Sequence, residues 1–96
     1  MGKGLGQAQM RILDLLQEAG GALATAGLLA GLFDQVNPGA RSSLSRSIKA
    51  LRNRGLVLKY KGVRVGGHAA RIVALTGAGV EVAQEIAEEE GQEPEP

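Results

Sequence analysis

The 96-residue sequence contains no cysteine and only two aromatic residues, Phe33 and Tyr60. Without cysteine the chain cannot form a disulfide framework or a thiolate metal site, and this composition fits a reducing compartment. His68 is the only histidine, so the sequence has no histidine pair to hold a metal ion. A core with so few aromatic rings must be built from Leu, Ile, Val and Ala, which suits helices packed on a small sheet.

Long apolar runs and paired catalytic groups are also missing. No apolar stretch approaches the roughly 18 residues that a membrane span needs, and the first residues lack the pattern of a secretory signal. The glycines at 62, 66 and 67 are not followed by the Lys-Ser or Lys-Thr of a phosphate loop, and no carboxylate pair lies in a predicted cleft. We therefore expect a cytoplasmic protein that is not an enzyme, with no catalytic residue, no metal, no cofactor and no membrane partner.

Acidic residues are absent from the middle of the chain, although the formal net charge is only +1. No Asp or Glu occurs between residues 35 and 80, whereas the segment from Glu81 onward is acidic and contains no Lys or Arg. Most of the basic residues fall in the acid-free span: Arg41, Arg46, Lys49, Arg52, Arg54, Lys59, Lys61, Arg64 and Arg71. Such segregation creates a positive face that can meet a phosphate backbone. The alternative is a solvated surface on which the bases cluster by chance.

Four helices are predicted from the spacing of apolar residues and from their end signals. The first covers residues 5–19 and ends at a glycine pair. A short extended connector leads to the second helix, at 25–33, with Thr25 as its expected N-cap. The third covers 37–55, where an Asn-Pro pair supplies the cap and the first helical position. A last helix covers 76–89, with Thr76 as its cap.

Between the third and last helices the apolar period changes from helical to alternating, which predicts a β-hairpin. Leu58 and Tyr60 would lie on one side of the first strand, and Lys59 and Lys61 on the other. A two-residue turn at Gly66-Gly67 predicts three cross-strand pairs: Val65 with His68, Tyr60 with Val73, and Leu58 with Leu75.

This order of elements predicts an α+β fold, a winged helix in which a three-helix bundle with a helix-turn-helix is followed by a hairpin wing and a C-terminal helix. The length fits one domain. We assign residues 1–90 to that domain and 91–96 to a disordered acidic tail.

Two segments carry a family resemblance, residues 43–57 with the motif Leu-x-x-x-Gly-Leu-Val and residues 71–79 with the motif Leu-Thr-x-x-Gly. They resemble the recognition helix and the wing return of MarR-type transcriptional regulators, over about residues 22–79. The resemblance implies a winged-helix DNA-binding domain. MarR proteins have further flanking helices that form a dimer and a ligand cleft, whereas this chain has room for one helix on each side, which argues against a small-molecule effector. The family's wing often carries an Asp-x-Arg pair, and this wing has no acidic residue.

The third helix separates an apolar face from a polar one. Leu44, Ile48 and Leu51 recur at helical spacing and should face the core. The opposite ridge carries Ser42, Arg46, Lys49 and Asn53 at i, i+4, i+7 and i+11. We predict that this ridge enters the major groove, with Arg46 or Lys49 donating to guanine and Asn53 pairing with adenine, while Ser42 and Ser43 hold phosphate through backbone amides. The full set predicted to contact DNA from this helix is Arg41, Ser42, Ser43, Ser45, Arg46, Lys49 and Asn53. An ordinary solvated helix face is the alternative.

The hairpin supplies a second basic element. The predicted wing contacts to DNA are Lys59, Lys61, Arg64, His68 and Arg71, with Arg64 placed to follow the phosphates or enter the minor groove. The two lysines could instead keep an edge strand from pairing with other chains. Arg52 and Arg54 are interpreted as cations that flank the C-terminal end of the third helix.

Apolar residues beyond a single helical stripe suggest a homodimer. Met10 and Leu13 lie off the main stripe of the first helix, and Val82 and Ile86 belong to a wide apolar face of the last helix. We predict a twofold interface formed by these four residues, which would let two recognition helices span half-sites about 34 Å apart. A monomer with a few exposed apolar residues is the alternative.

The function predicted from these features is sequence-specific binding of double-stranded DNA by a prokaryotic, nucleoid-associated transcriptional regulator, with a repressor favoured because no second domain is present to recruit polymerase. Two other functions stay open. One is a winged helix that binds proteins and never touches DNA. The other is non-specific architectural binding, in which every contact goes to phosphate.

Overall fold

The computed structural model describes residues 4–35 and 37–91, without the side chains of residues 63, 65, 68 and 89–91. Its elements are α1 (Gln7–Glu18), β1 (Ala22–Ala24), α2 (Thr25–Leu32), α3 (Pro38–Asn53), β2 (Val57–Val65), β3 (His68–Leu75) and α4 (Gly77–Gly91). The strands form one antiparallel sheet in the order β1-β3-β2. The predicted α+β winged helix is confirmed, and the extended connector is a third strand of its sheet. Most of the predicted tail, residues 92–96, lies outside the described residues.

The α3 helix has a clear start and a clear stop. Asn37 Oδ1 accepts a hydrogen bond of 2.8 Å from the Ala40 amide, and Pro38 occupies the first turn. At the other end Gly55 adopts φ +74°, and the Leu56 amide donates to the Leu51 carbonyl. This Gly-terminated closure is a Schellman motif, in which Leu51 and Leu56 are both buried. The Leu-x-x-x-Gly-Leu-Val spacing is therefore a helix stop that directs the chain into β2.

The core lies between the helices and the inner face of the sheet. Its fully buried members include Ile12, Leu13 and Leu16 of α1, and Val57 and Val73 of the sheet. Leu44, Ile48 and Leu51 of α3 are buried as predicted. Apolar burial of this kind is the main driving force that holds α3 against the sheet.

The predicted register at the base of the hairpin is wrong by one residue. Val65 lies opposite His68 as expected, but Tyr60 lies opposite Ile72 rather than Val73, and Leu58 lies opposite Ala74. Between these two regions Lys61 and Gly62 together face a single residue, which is a β-bulge. Leu58 and Tyr60, predicted to share a face with Val73 and Leu75, are therefore on the outer face, each 49% exposed.

Thr76 joins α4 to the end of α3. Its side chain accepts from the Gly79 amide at 3.0 Å, as the predicted cap should, and its hydroxyl donates to the Gly55 carbonyl at 2.6 Å. The Thr76 amide donates to the Leu56 carbonyl. Gly79 lies so close to that same carbonyl that a Cβ atom could not be accommodated without movement. The Leu-Thr-x-x-Gly motif thus encodes a helix cap and a close backbone contact.

The terminal helices pack on each other within the single chain. Leu13 is 0% exposed and Ile86 is 4% exposed, so neither is surplus surface as the dimer prediction supposed. Met10 and Val82 are partly buried against the same core. The error arises because α1 is covered on two sides, by the bundle and by α4, and needs a wider apolar stripe than one contact requires. Among the described residues, no helix combines the length and apolar character needed to cross a bilayer.

Candidate nucleic-acid interface

The exposed side of α3 carries the predicted ridge. Ser42, Arg46, Lys49 and Asn53 are all exposed, opposite the buried leucine and isoleucine face. Arg41 and Ser45 are also exposed, whereas Ser43 is partly buried. Packing on the opposite face fixes the rotation of α3, and the ridge is therefore turned toward solvent.

The position of Ser42 and Ser43 in α3 does not support the phosphate contact predicted for their backbone amides. Ser42 and Ser43 were expected to offer free backbone amides near the helix start, but α3 begins at Pro38, as predicted, and both serines lie beyond its first turn. The two serines lie in the second turn, where amides are engaged in helical hydrogen bonds. Only their side chains remain available to a ligand.

A basic groove, formed by two adjoining cavities, separates α3 from the sheet. The larger, here named the α3–β2 cavity, has a volume of about 520 Å³. It is lined by Ser45, Ile48, Lys49, Arg52, Asn53, Val57, Leu58 and Lys59. The smaller, the α2–α3 cavity, has a volume of about 130 Å³ and is lined by Thr25, Leu29, Arg41, Leu44, Ser45, Lys59 and Arg71. Ser45 and Lys59 line both cavities, and neither lining includes an acidic residue among the side chains that the structure describes.

Lys59 is the central cation of this groove. It lies opposite Val73, on the inner face of the sheet, and is partly buried. Desolvation by burial, together with the nearby charges of Arg71, Lys61 and Arg52, lowers the pKa of Lys59 below its usual 10.5. The neighbouring cations contribute part of this shift, and an anion entering the groove would offset their repulsion.

The wing residues have different surroundings. Lys61, Arg64 and Arg71 are exposed. Arg64 Nη1 donates a hydrogen bond of 2.9 Å to the carbonyl of Gly67, so this guanidinium also closes the turn at the hairpin tip. The predicted contact of His68 falls on a side chain that the structure does not describe. The structure therefore brings Lys59 and Arg71 together beside α3 and leaves Arg64 nearer the tip.

Two residues of the groove are not identified by the sequence pattern. Arg52, interpreted as a helix-end cation, lines the α3–β2 cavity, and Thr25, expected as a cap, is the first residue of α2 and lines the smaller one. The spacing of Ser45, Lys49 and Arg52 at i, i+4 and i+7 could have identified Arg52 as a member of this face. Arg54 instead donates to the Gly4 carbonyl at 3.1 Å, which ties the N-terminal segment to the end of α3.

Within the described residues no group of three or more His, Asp or Glu side chains is placed to hold a metal ion. The dominant chemistry of the surface formed by α3, the groove and the wing is positive charge with hydroxyl and amide donors. Such donors bind phosphate oxygens and the edges of bases.

Comparison with known proteins gives a result at the level of the fold. No protein-family model and no curated protein sequence matches the chain. The crystal structure of the adhesin competence repressor AdcR from Streptococcus pyogenes is similar, with a TM-score of 0.72 and 19% identity. The match covers 94% of this chain but 60% of AdcR, so the chain spans less than two thirds of that repressor. The fold is a winged helix, as the order of elements in the sequence predicts.

Proposed function

We propose that the chain binds double-stranded DNA and acts as a transcriptional regulator, with a repressor favoured. The observation that carries this proposal is the acid-free surface on which the exposed ridge of α3 and the basic groove adjoin the wing. The ridge of Arg46, Lys49 and Asn53 would lie in the major groove, whose width admits a helix. The wing residues Lys61 and Arg64 would follow the phosphate backbone or the adjacent minor groove.

The arrangement also supports a path for the DNA backbone between the two elements. A strand that leaves the major groove at α3 must pass the sheet before it reaches the wing, and Lys59, Arg71 and Arg41 line that passage. Three cations at a phosphate path give affinity and fix orientation without reading sequence. The similarity of the fold to AdcR, which is named as a repressor, supports the regulatory part of the proposal.

The experiment that tests this proposal is selection from a random duplex library at two salt concentrations. An enriched motif, with affinity that falls steeply as salt rises, is the expected result. Absence of binding at low salt would refute DNA binding. A steep salt dependence without an enriched motif would instead establish the non-specific architectural function.

A protein-binding winged helix is the second candidate, because the outer sheet face exposes apolar side chains. Leu58 and Tyr60 are each half exposed and lie opposite Ala74 and Ile72, so these four described residues form an apolar patch on the outer face. A DNA-independent complex, weakened by Tyr60→Ser but not by Lys49→Ala, would favour this function.

A homodimer remains part of the proposal, through those parts of α1 and α4 that the core does not use. Met10 and Val82 are the two originally predicted interface residues with surface left to offer. Sedimentation equilibrium should give twice the chain mass, and an enriched DNA motif should then contain two half-sites about 34 Å apart. A monomer on a single half-site would exclude the dimer while leaving DNA binding intact.

A further inference from the structure

Lys59 lies where the two cavities of the basic groove adjoin, and it lines both of them. The cations that share these linings with it are Lys49 and Arg52 in the α3–β2 cavity, and Arg41 and Arg71 in the α2–α3 cavity. A primary amine among guanidinium groups is suited to react with a reagent that carries an anionic leaving group. We propose that Lys59 is a site of covalent acylation by acyl phosphates, with the neighbouring cations holding the phosphate group while the lysine amine takes the acyl group.

The surroundings of Lys59 favour the neutral amine, which is the form that reacts. The side chain is partly buried on the inner face of the sheet, whereas Lys49 and Lys61 are exposed. Burial lowers the pKa of this amine below 10.5, and so do the positive charges of Arg71, Lys61 and Arg52. A lysine is a better nucleophile near neutral pH when desolvation and nearby cations disfavour its charged form. Lys59 should therefore react faster than the exposed lysines.

The arginines of the groove suit the phosphate end of the reagent. Arg41 and Arg71 line the smaller cavity together with Lys59, and guanidinium groups donate several hydrogen bonds to phosphate oxygens. Negative charge grows on the leaving oxygen as its bond to the carbonyl carbon breaks, so positive charge fixed at that point stabilises the departing group. A reagent held by its phosphate also keeps its carbonyl carbon close to the amine, which raises the rate through proximity.

The transfer needs no further reactant. The neutral Nζ atom of Lys59 attacks the carbonyl carbon, and a new N–C bond forms as the C–O bond to the phosphate breaks. The electron pair of the broken bond leaves with the phosphate. The proton that the nitrogen loses ends on the same group, which departs as hydrogen phosphate. The product is an amide, and the side chain has lost its positive charge.

The first experiment compares two acetylating reagents on the full chain without DNA. Acetyl phosphate has an anionic leaving group, whereas N-acetoxysuccinimide is uncharged. Chymotrypsin cleaves after Tyr60, so Lys59 and Lys61 fall in separate peptides whose acetylation mass spectrometry can follow. With acetyl phosphate Lys59 should react at least about tenfold faster than Lys61, and with the uncharged reagent this ratio should be at least about threefold smaller.

Two results of that experiment would overturn the proposal. Equal rates at Lys59 and Lys61 with acetyl phosphate would show that the groove does not direct the reaction. The same rate ratio with both reagents would show that the reactivity of the amine alone accounts for the selectivity, without any hold on the phosphate.

A matched pair of variants tests the hold on the phosphate. Arg41 is exposed and lines the smaller cavity, but it is not one of the charges that lower the pKa of Lys59. Arg11 is on α1, pairs with Asp14 and lies outside both linings. Arg41→Gln should slow acetylation of Lys59 by acetyl phosphate about fivefold or more, and Arg11→Gln by less than about twofold.

The uncharged reagent serves as the folding control for both variants. N-acetoxysuccinimide should acetylate Lys59 at rates within about twofold of the parent chain, because the amine and its surroundings are retained. Equal losses with acetyl phosphate in Arg41→Gln and Arg11→Gln would show that only net charge attracts the reagent, and would overturn the proposal.

A consequence for DNA binding rests on the proposed function. Acetylation removes one positive charge from the path proposed for the phosphate backbone. A chain synthesised with Nε-acetyllysine at position 59 should therefore bind DNA severalfold more weakly than the unmodified chain, with a salt slope reduced by about one. If acetyl phosphate selects Lys59 but neither form binds DNA, the proposed function fails and the modification site stands. If the chain binds DNA but Lys59 is not selected, the modification site alone is wrong.

Discussion

Lys59 and Arg64 lie on the same face of the hairpin although five positions separate them on one strand. Lys59 is opposite Val73 and Arg64 is opposite Ala69, and these partners share a face because side chains of β3 alternate. In an uninterrupted strand, residues five apart point to opposite faces. The bulge at Lys61 and Gly62 supplies the extra residue that brings both cations to the side that carries α3.

The bulge depends on Gly62, and its replacement is the first prediction. Gly62 has φ +72°, and nothing lies within 4 Å of the position that a Cβ would take. Gly62→Ala should therefore suffer conformational strain without a clash, and we expect a loss of about 1 kcal/mol in the free energy of unfolding. For a chain of this size that loss lowers the melting temperature by roughly 4–8 °C. Thermal unfolding followed by circular dichroism measures it.

Gly77→Ala is the matched control for that experiment. Gly77 also has open space around the Cβ position, but it begins α4 and does not have a left-handed φ. This variant should be unchanged or slightly more stable, because alanine restricts the unfolded chain. Equal losses at both positions would contradict the role assigned to the bulge.

The second prediction concerns the junction of α3, β2 and α4. A Cβ at Gly79 would overlap the Leu56 backbone carbonyl, which also accepts from the Thr76 amide. Gly79→Ala must therefore move α4 or break that contact, and we expect a loss above about 2 kcal/mol, more than the strain at Gly62 costs. Thr76→Val, which removes the cap, should cost about 1 kcal/mol. Urea denaturation compares the two, and a stable Gly79→Ala would show that the close contact is not needed.

Features that neighbouring residues encode were predictable from the sequence, whereas features that depend on long-range contacts were not. The cap at Asn37, the stop at Gly55 and the cap at Thr76 are encoded within a few residues of the feature they make, and all three were predictable. The turn at Gly66 was predictable for the same reason, and it fixed the register at the tip.

The predictions that were wrong concern features that depend on contacts between residues distant in the chain. Leu58 and Tyr60 alternate with lysines whether or not the strand contains the bulge at Gly62. The alternating pattern alone therefore cannot decide which face of the strand packs against the core. Leu13 was assigned to a dimer because its cover, α4, begins more than sixty residues later. The groove between α3 and β2 likewise exists only once Ser45 and Lys59 are brought together. Such contacts are set by packing of the whole chain, not by propensity.

The third prediction separates the reading of bases from the binding of phosphate. Arg46 is exposed on the ridge of α3, whereas Lys61 is exposed on the wing. Arg46→Ala should change the enriched sequence and cost about 1–3 kcal/mol at its base pair, while Lys61→Ala should weaken all sequences alike and reduce the salt slope by about one. Library selection with both variants measures these effects. If both variants shift affinity without altering the motif, the assigned roles are wrong.

The last prediction is that Lys59 strengthens DNA binding but lowers the stability of the fold. Because the folded state lowers the pKa of Lys59 below 10.5, the charged form is disfavoured on folding and its charge costs stability. Lys59→Met, which keeps an apolar stem beside α3, should weaken DNA binding and yet raise the melting temperature near neutral pH. That gain should shrink as the pH rises through the lowered pKa toward 10.5, where the parent loses the same proton. Added salt should also reduce it, since the repulsion is partly exposed and therefore screened. Calorimetric scans of both proteins across this pH range test the point, and a lower melting temperature for Lys59→Met at neutral pH would show that the lysine stabilises the fold.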